Sequence, residues 1–212
     1  MNFTGCVTAR YNSTRVPLKA VQEVGGSPLV DRCIRVLARA AKIDDILLFG
    51  DCPSIKHYIG DYDYRFVQRP IELSADDATF AQILDAALPY IDTDYIVFMT
   101  YTAPFFTTES INTMIEQVEH TSYDSAFAVT KHKQFAWFNN KRLNYGDAIP
   151  KTQKLAPVYF ETSNIYIFEK DYYIKTKQRI GKMPYMHEVD AVEGWDIDTV
   201  EDLEIARAIA NE

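Results

Sequence analysis

Features that mark exported, disulfide-stabilised or membrane-spanning proteins are scarce in this sequence. There are only three cysteines, Cys6, Cys33 and Cys52, without C-x-x-C spacing, so neither a disulfide framework nor a zinc site is indicated. No apolar run approaches the length that spans a bilayer, and the N-terminus lacks the basic and apolar segments of a signal peptide. We therefore expect a soluble protein of the reducing cytoplasm with no membrane partner.

Positive charge is also in short supply, because 22 Lys and Arg face 30 Asp and Glu, for a net charge of −8. This balance disfavours a general attraction to nucleic acid or to anionic membrane. The glycine-rich signatures G-x-G-x-x-G and G-x-x-x-x-G-K-[ST] are absent as well, which removes the usual dinucleotide-binding and ATPase motifs. An anionic ligand must therefore meet a local basic site of a different kind.

Segments of strand and helix character alternate along most of the chain. Apolar runs predict strands at 3–8, 45–49, 64–67, 95–99, 124–130 and 162–168. Apolar residues at helical spacing predict helices at 28–43, 79–91, 107–119 and 200–210. This alternation favours an α/β fold, with a mostly parallel twisted sheet covered by helices on both faces. A chain of 212 residues can bury one substantial core, so 1–212 is predicted to be a single domain.

The alternation breaks over 131–158, a stretch rich in aromatic and basic residues that has no clear period. We interpret 131–158 as an inserted hairpin or arm. Its aromatic cluster, which includes Phe135 and Trp137, forms either a small local core or an interface with another chain.

The loop after the first predicted strand reads A-R-Y-N-S-T-R-V-P-L-K and is basic. Ligands of open α/β sheets bind at such strand ends. Arg10, Arg15 and Lys19 can neutralise a triphosphate, and the hydroxyls of Ser13 and Thr14 can donate to its oxygens. The alternative is a solvated basic loop without a ligand.

An Asp-x-Asp pair precedes the last predicted helix. On an extended backbone Asp196 and Asp198 point the same way, so both carboxylates can reach one hard cation such as Mg²⁺. The alternative is that one of them caps the helix and the other is solvated. Asp202 falls in the first helical turn, where negative charge meets the helix dipole favourably, and we assign it a structural role.

These motifs carry a family resemblance. The first loop resembles the A-R-x-x-S-x-R-x-P-x-K signature of the acylneuraminate and 3-deoxy-manno-octulosonate cytidylyltransferases, and it matches every fixed position. Four further segments are similar to family motifs in the same order: G-S-P-L from Gly26, R-P-I-E-L-S-A-D from Arg69, Q-K-L-A-P-V-Y from Gln153 and W-D-I-D-T-V-E-D-L from Trp195. The resemblance spans nearly the whole chain and implies a Rossmann-like, GT-A-like nucleotidyltransferase fold.

The resemblance also implies an activity. Such an enzyme transfers CMP from CTP to an acidic sugar, such as a sialic-acid-like nonulosonate, and releases pyrophosphate with Mg²⁺ as cofactor, supplying activated sugar for surface polysaccharide. Octulosonate or a phosphonate as acceptor, and a non-catalytic nucleotide-binding relative, remain open. A metal-dependent glycosyltransferase is a distant alternative, because its Asp-x-Asp lies near the middle of the nucleotide-binding half. In the family the arm crosses to a second subunit, which implies a homodimer.

Residue roles follow by the same resemblance. The residues expected to bind the nucleotide are Thr8, Ala9, Arg10, Ser13, Arg15, Lys19, Arg69, Ser74 and Asp76. Those expected to act in catalysis are Arg10, Lys19 and Asp198, and the expected metal ligands are Asp196 and Asp198. The acceptor is expected to meet Thr100, Gln153, Tyr159 and Glu161. Two alternatives stay open, namely that Asp76 caps the following helix and that Tyr159 is a core residue.

One segment departs from the family. Where the sialic acid branch has Q-P-T-S-P-L-R after the fourth strand, this chain has T-Y-T-A-P-F-F. Thr100 therefore replaces a glutamine that lies near the bound sugar in the family, and Phe106 replaces an arginine. We expect an acidic acceptor other than an ordinary sialic acid.

Overall fold

A seven-stranded sheet forms the centre of the computed structural model, which describes residues 1–211. The strands in chain order are β1 (Phe3–Ala9), β2 (Glu23–Val24), β3 (Ser27–Pro28), β4 (Asp45–Gly50), β5 (Arg65–Gln68), β6 (Tyr95–Met99), β7 (Ser125–His132), β8 (Trp137–Phe138), β9 (Lys141–Arg142), β10 (Val158–Glu169) and β11 (Pro184–Val189). The α-helices are α1 (Leu29–Ala38), α2 (Phe80–Ala87), α3 (Thr108–His120), α4 (Lys170–Thr176) and α5 (Val200–Ala210). No helix within residues 1–211 combines the length and the apolar character needed to cross a membrane.

The sheet is mostly parallel, as predicted. Its strand order within residues 1–211 is β11-β7-β10-β6-β1-β4-β5. β1 pairs parallel with β4 and β6, β4 with β5, and β11 with β7, whereas β10 runs antiparallel to both β6 and β7. The carboxyl ends of the parallel strands and the first half of β10 therefore meet at one edge, which is where ligands bind in such sheets.

Helices cover both faces of the sheet, which confirms the predicted α/β class. On one face α1 and α3 pack their buried side chains, including Ile34 and Ile115, against Val97 of β6. On the other face α2 contributes Leu84 and α4 contributes Tyr173 to a second cluster of buried residues. Burial of each such large side chain contributes roughly 1.5–3 kcal/mol, so the two clusters hold the layers together.

Two capping boxes set where α2 and α5 begin. Thr79 accepts the backbone N–H of Gln82 at 3.3 Å, and the Gln82 side chain accepts the Thr79 N–H at 2.8 Å. Thr199 and Asp202 form the same reciprocal pair at 3.2 and 2.8 Å. Thr79 rather than Asp76 therefore caps α2, and Asp202 satisfies the first turn of α5. The alternative that Asp76 is a helix cap is wrong.

Some element bounds differ from the prediction. α1 ends at Ala38 rather than 43, because Asp44 turns back to pair with Phe3: its N–H donates to the Phe3 carbonyl at 2.9 Å and its carboxylate accepts the Phe3 N–H at 2.7 Å. The sequence patterns also missed α4 and β11. α4 is seven residues long, and β11 is an edge strand in which only Val189 is buried, so both have weak apolar patterns.

The 131–158 segment contains sheet as well as arm. β7 continues to His132 and β10 begins at Val158, so the base of the segment belongs to the central sheet. Between them β8 and β9 form a hairpin, whose turn residues Asn139 and Asn140 have φ of 48° and 60°. Asparagine tolerates this left-handed conformation better than most residues, which suits a tight hairpin turn.

Candidate active site

The basic loop 10–18 leaves β1 at the ligand-binding edge and packs against the last helix. Val16 is buried with Ile197 and Leu203 in a third core cluster. Lys19 follows in a short 3-10 turn, Lys19–Val21. Packing of Val16 therefore brings the start of the chain to the Asp-x-Asp segment, which lies about 180 positions later in sequence.

Lys19, directly after the loop, is more buried than Arg10 and Arg15 within it, with only 4% of its surface exposed. Its Nζ donates to the carbonyl oxygens of Ile197 at 2.7 Å and Asp198 at 3.3 Å, and it lies 3.7 Å from Asp198 Oδ1. Burial lowers the pKa of Lys19, while Asp198 opposes that shift. Arg15 Nη2 approaches the same Asp198 Oδ1 at 2.9 Å. Two loop cations therefore converge on Asp198.

The turn before Asp196 packs closely on the sheet. A Cβ atom at Gly194 would lie 2.6 Å from Thr130 Cγ2 and 3.1 Å from Thr162 Cγ2, so a side chain does not fit there. The Asp190 carboxylate accepts two backbone N–H groups of the same turn, each at 2.8 Å. These contacts fix the position at which the chain enters the Asp-x-Asp pair.

Asp196 has an unsatisfied oxygen. Among residues 1–211, its buried Oδ1 has no hydrogen-bond partner. Burial raises the pKa of Asp196, a hydrogen bond with Thr102 opposes this, and the Asp198 carboxylate raises the pKa further. A buried carboxylate oxygen without a hydrogen-bond partner is costly, and a bound cation relieves that cost. The arrangement fits a cation next to Asp196.

The donor set for such a cation is small. No cluster of three or more His, Cys, Asp or Glu side chains suited to a metal occurs in residues 1–211. Asp196 and Asp198 would thus be the carboxylates available, flanking the fully buried Ile197. Two carboxylates suit Mg²⁺, which keeps several waters and takes phosphate oxygens, better than they suit Ca²⁺ or Zn²⁺.

A cavity of about 200 Å³ lies beside the basic loop at the ends of β1 and β6. Its lining residues are Thr8, Arg10, Arg69, Leu73, Ala75, Asp76, Ala78, Ile83 and Tyr101. Arg10 Nη1 donates to Asp76 Oδ1 at 2.6 Å and to the Ser74 carbonyl at 3.0 Å. Four of the predicted nucleotide-binding residues, Thr8, Arg10, Arg69 and Asp76, therefore share one concave, cationic pocket.

Arg69 is held rigidly in this cavity. It is 5% exposed, its Nε donates to Ser74 Oγ at 3.2 Å, and its Nη2 lies 3.9 Å from Asp51 Oδ2. Burial lowers the pKa of Arg69, and Asp51 counteracts this. Ser74 bridges Arg69 through its hydroxyl and Arg10 through its carbonyl, so its role here is to position the two guanidinium groups.

The remaining predicted residues of the loop are placed differently. Ala9 is fully buried at the end of β1, so its side chain contributes packing rather than a ligand contact. Ser13 is partly buried and Arg15 is exposed within loop 10–18. Neither residue lines the cavity, and the Arg15 side chain points instead to Asp198.

Sequence reasoning missed two polar residues of this site. Burial raises the pKa of Tyr101 to about 12, so its phenol is a neutral hydrogen-bond donor beside Arg10 and Arg69. Asp51 accepts the Tyr11 N–H at 2.8 Å and also faces Arg69, so it ties the basic loop to β4. Both residues follow a sheet strand closely, and that position was the available signal.

The expected acceptor residues are only partly brought together. Thr100 follows β6, where its N–H donates to the Asn164 carbonyl of β10 at 2.9 Å. Tyr159 and Glu161 are exposed and two positions apart on β10, so they share a face. Tyr159 is 40% exposed, so the alternative of a core residue is wrong. Gln153 lies instead in the exposed 3-10 turn Thr152–Lys154 of the arm.

Comparison with known proteins finds relatives over most of this chain. An N-acylneuraminate cytidylyltransferase of Streptococcus agalactiae is 23% identical over 207 residues, covering 92% of this chain and 50% of that protein. A 3-deoxy-manno-octulosonate cytidylyltransferase of Flavobacterium johnsoniae is 23% identical over 248 residues, covering 99% of this chain and 98% of that protein. The chain spans about half the length of the N-acylneuraminate cytidylyltransferases that it matches.

The fold and the family follow from two further matches. The structure of a CMP:2-keto-3-deoxy-manno-octonic acid synthetase complexed with CTP superposes with a TM-score of 0.73 at 15% identity, covering 100% of this chain and 99% of that chain. This confirms the expected nucleotidyltransferase fold. The sequence model of the cytidylyltransferases matches residues 4–211. The chain belongs to the cytidylyltransferase family.

Proposed function

We propose that this protein is a CTP-dependent nucleotidyltransferase that transfers CMP to an acidic sugar and releases pyrophosphate, with Mg²⁺ as cofactor. The observation that carries the proposal is the meeting of three parts at one edge of the sheet. These parts are the cationic cavity around Arg10 and Arg69, the buried Lys19, and the Asp196 carboxylate, whose Oδ1 lacks a hydrogen-bond partner.

The nucleotide half of the proposal assigns the cavity to the nucleoside and loop 10–18 to the triphosphate. Arg10, Arg15 and Lys19 each face a carboxylate, at 2.6, 2.9 and 3.7 Å. Phosphate oxygens can replace those carboxylates as partners of the cations, so binding CTP leaves no cation unpaired. The Ser13 hydroxyl, within the same loop, is a further donor to the phosphates.

The metal half of the proposal assigns Mg²⁺ to Asp196 and Asp198. Mg²⁺ bound there would neutralise charge on the phosphate oxygens. Asp196 offers an oxygen that lacks a partner, whereas Asp198 must exchange Arg15 for the cation. That exchange frees Arg15 to contact the triphosphate, so metal and nucleotide binding should support each other.

The chain's residues promote the reaction by positioning and by charge. The acceptor's anomeric hydroxyl attacks the α-phosphorus, and pyrophosphate leaves from the opposite side. Holding the two reactants in line supplies much of the rate enhancement in phosphoryl transfer. Lys19 is fixed by two backbone carbonyls, so its positive charge is preorganised toward developing negative charge on the phosphates.

For the acceptor we propose a sugar acid. Relatives named for N-acylneuraminate and for 3-deoxy-manno-octulosonate support that class equally, at 23% identity each. Phe106 is 3% exposed in the core, so it contributes no contact to an acceptor. An octulosonate therefore remains the second candidate beside a sialic-acid-like nonulosonate, and a phosphonate acid the third.

We also propose a homodimer formed through the arm. Trp137 and Phe138 of the hairpin are 59% and 66% exposed, and Ile149 is 74% exposed. Such large apolar side chains on a projecting hairpin are typical of an interface. Phe135 and Tyr145 pack edge to face at 4.9 Å, so a small local core also stabilises the arm.

The activity is tested by pyrophosphate release with each of the four nucleoside triphosphates, with and without Mg²⁺, against a panel of sugar acids and phosphonates. We expect release only with CTP, Mg²⁺ and one class of acid. Calorimetric CTP binding without release from any acceptor would instead support a non-catalytic nucleotide-binding protein. Failure to bind CTP would remove the proposal altogether.

A further inference from the structure

An arginine that the family motifs do not include lies among the expected acceptor residues. Arg179, in the loop after α4, stacks on the Tyr166 ring with its Cζ 3.8 Å from the ring centroid. Phe80 supports it at 5.1 Å. The nearest carboxylate pairing is with Glu161, whose Oε2 lies 3.9 Å from Arg179 Nη2, beyond hydrogen-bonding distance. The guanidinium is thus held by stacking while its N–H edge stays available.

The pairing of β10 with β6 shows where Arg179 lies relative to the nucleotide cavity. Tyr166 of β10 pairs with Phe98 of β6, and both belong to the core cluster on the α2 face. Thr100 lies two positions beyond Phe98, so it extends the same face at the ligand-binding edge. Thr8, on the adjacent strand β1, lines the nucleotide cavity. Arg179 therefore lies on the acceptor side of that cavity, on the same face of the sheet.

The other nearby cation is already occupied. Lys131 of β7 donates to Glu188 at 3.1 Å and lies over the Tyr159 ring. Glu161 accepts the Tyr166 hydroxyl at 2.9 Å, so its carboxylate is oriented by a neutral donor. Burial raises the pKa of Tyr166 to about 12, which keeps that phenol protonated. Of these side chains, Arg179 is the cation without a hydrogen-bonded carboxylate.

We infer that Arg179 binds the acidic group of the acceptor and thereby determines that the protein accepts sugar acids. The inference rests on the proposed function and names the residue that recognises the acidic group of the acceptor. A guanidinium presents parallel N–H donors that match both oxygens of a carboxylate, and stacking on Tyr166 fixes the plane of that fork. Glu161 beside it is oriented to accept from hydroxyl groups of the same sugar.

The test compares Arg179→Gln, Arg179→Lys and a control, Arg39→Gln, which removes an equivalent charge from an exposed position at the end of α1. The probes are N-acetylneuraminate and 3-deoxy-manno-octulosonate, each as the acid and as its uncharged carboxamide. Steady-state kinetics give KM for CTP and for the acid separately. Calorimetry on the CTP-bound protein gives acid binding without turnover, and thermal melting confirms that each variant is folded.

We expect Arg179→Gln to raise KM and Kd for the acid by about tenfold or more, which is the loss of a charge-assisted hydrogen bond. Both constants for CTP should stay within about twofold, and Arg179→Lys should recover only part of the loss because its ammonium lacks the planar fork. Wild type and Arg179→Gln should bind the carboxamide equally. Arg39→Gln should match wild type throughout.

Two results would overturn the inference while leaving the proposed function intact. One is an active Arg179→Gln variant with wild-type constants for the acid. The other is a rise in the CTP constants of folded Arg179→Gln that equals the rise for the acid. A wild-type protein that binds CTP but neither acid would overturn the inference together with the proposed sugar-acid acceptor. Loss of CTP binding by the wild type would instead remove the proposed function itself.

Discussion

The proposed nucleotide side and the proposed acceptor side of this molecule differ in how their residues are distributed along the sequence. The nucleotide side draws on loop 10–18, the 69–76 segment and Asp196 with Asp198, each of which is a short contiguous motif. The acceptor side combines separate residues of the segment after β6, of β10 and of the loop after α4, including Thr100, Glu161 and Arg179. Contiguous motifs are readable from sequence, whereas a site gathered from such separate residues depends on how the strands pair.

Substitutions test the separation of the nucleotide side from the acceptor side, because they should change different kinetic constants on the two sides. Changes on the nucleotide side should alter CTP use and metal dependence, whereas changes on the acceptor side should alter KM for the acid alone.

Lys19→Ala should cause the largest loss. The change removes a preorganised charge and leaves the carbonyl oxygens of Ile197 and Asp198 without their donor. We expect kcat/KM for CTP to fall about 10²–10³-fold, the usual cost of one preorganised donor to the transition state. Lys175→Ala, which removes an exposed lysine of α4, is the control. Full turnover of Lys19→Ala at limiting CTP would contradict the role given to Lys19.

Asp196→Asn should abolish Mg²⁺-dependent turnover. The same substitution should stabilise the metal-free protein at neutral pH. Turnover with Mg²⁺ should fall by at least about 10²-fold, since metal-ligand charge is lost. Mg²⁺ should raise the Tm of CTP-bound wild type, through binding to the folded state, and leave the variant's Tm unchanged. A Mg²⁺-dependent rise in the variant's Tm equal to that of wild type would exclude Asp196 as a ligand.

The raised pKa of Asp196 predicts how the stability of wild type and of Asp196→Asn depends on pH. With the folded-state pKa above the unfolded value of 3.8, the native protein binds more protons between the two pKa values. Metal-free wild type therefore loses stability as pH rises through that window. Asp196→Asn avoids the loss, so its Tm should exceed that of wild type at neutral pH and the advantage should shrink toward pH 4. Thermal melting of both proteins in the presence of a chelator, across this pH range, measures the Tm difference.

Thr100→Gln should act on the acceptor side only. Thr100 contacts the Asn164 carbonyl through its hydroxyl at a weak 3.4 Å, so the substitution costs little structure. The longer amide should increase kcat/KM for N-acetylneuraminate by a few-fold, about 1 kcal/mol for one added hydrogen bond. KM for CTP should not change. Equal effects on CTP and on the acid would argue against separate nucleotide and acceptor sides.

Trp137→Ser should leave the folded monomer almost unaffected. The side chain is 59% exposed, so the free energy of unfolding of the monomer should change by less than about 0.5 kcal/mol. Analytical ultracentrifugation should nevertheless show a weaker dimer, because the proposed interface includes this ring. An unchanged dimer would place the interface elsewhere, and Lys133→Ser, another exposed arm residue, is the control.

The bounds of α5 and β6 match the predicted 200–210 and 95–99, because each has a strong apolar period and clear ends. β11 and α4 escaped detection, since an edge strand and a seven-residue helix bury little. The cationic cavity was foreseen through Arg10 and Arg69, while Tyr101 was overlooked because an isolated aromatic after a strand has no distinctive pattern.

The sequence by itself determined the alternating α/β layers and the cytidylyltransferase family, because both depend on local periodicity and on contiguous motifs. Only the tertiary structure decided which distant groups meet. It buried Lys19 against the Asp198 segment, left an oxygen of Asp196 without a partner and stacked Arg179 on Tyr166. Such contacts join residues far apart in the chain, and their geometry is set by strand order and core packing, which no single segment contains.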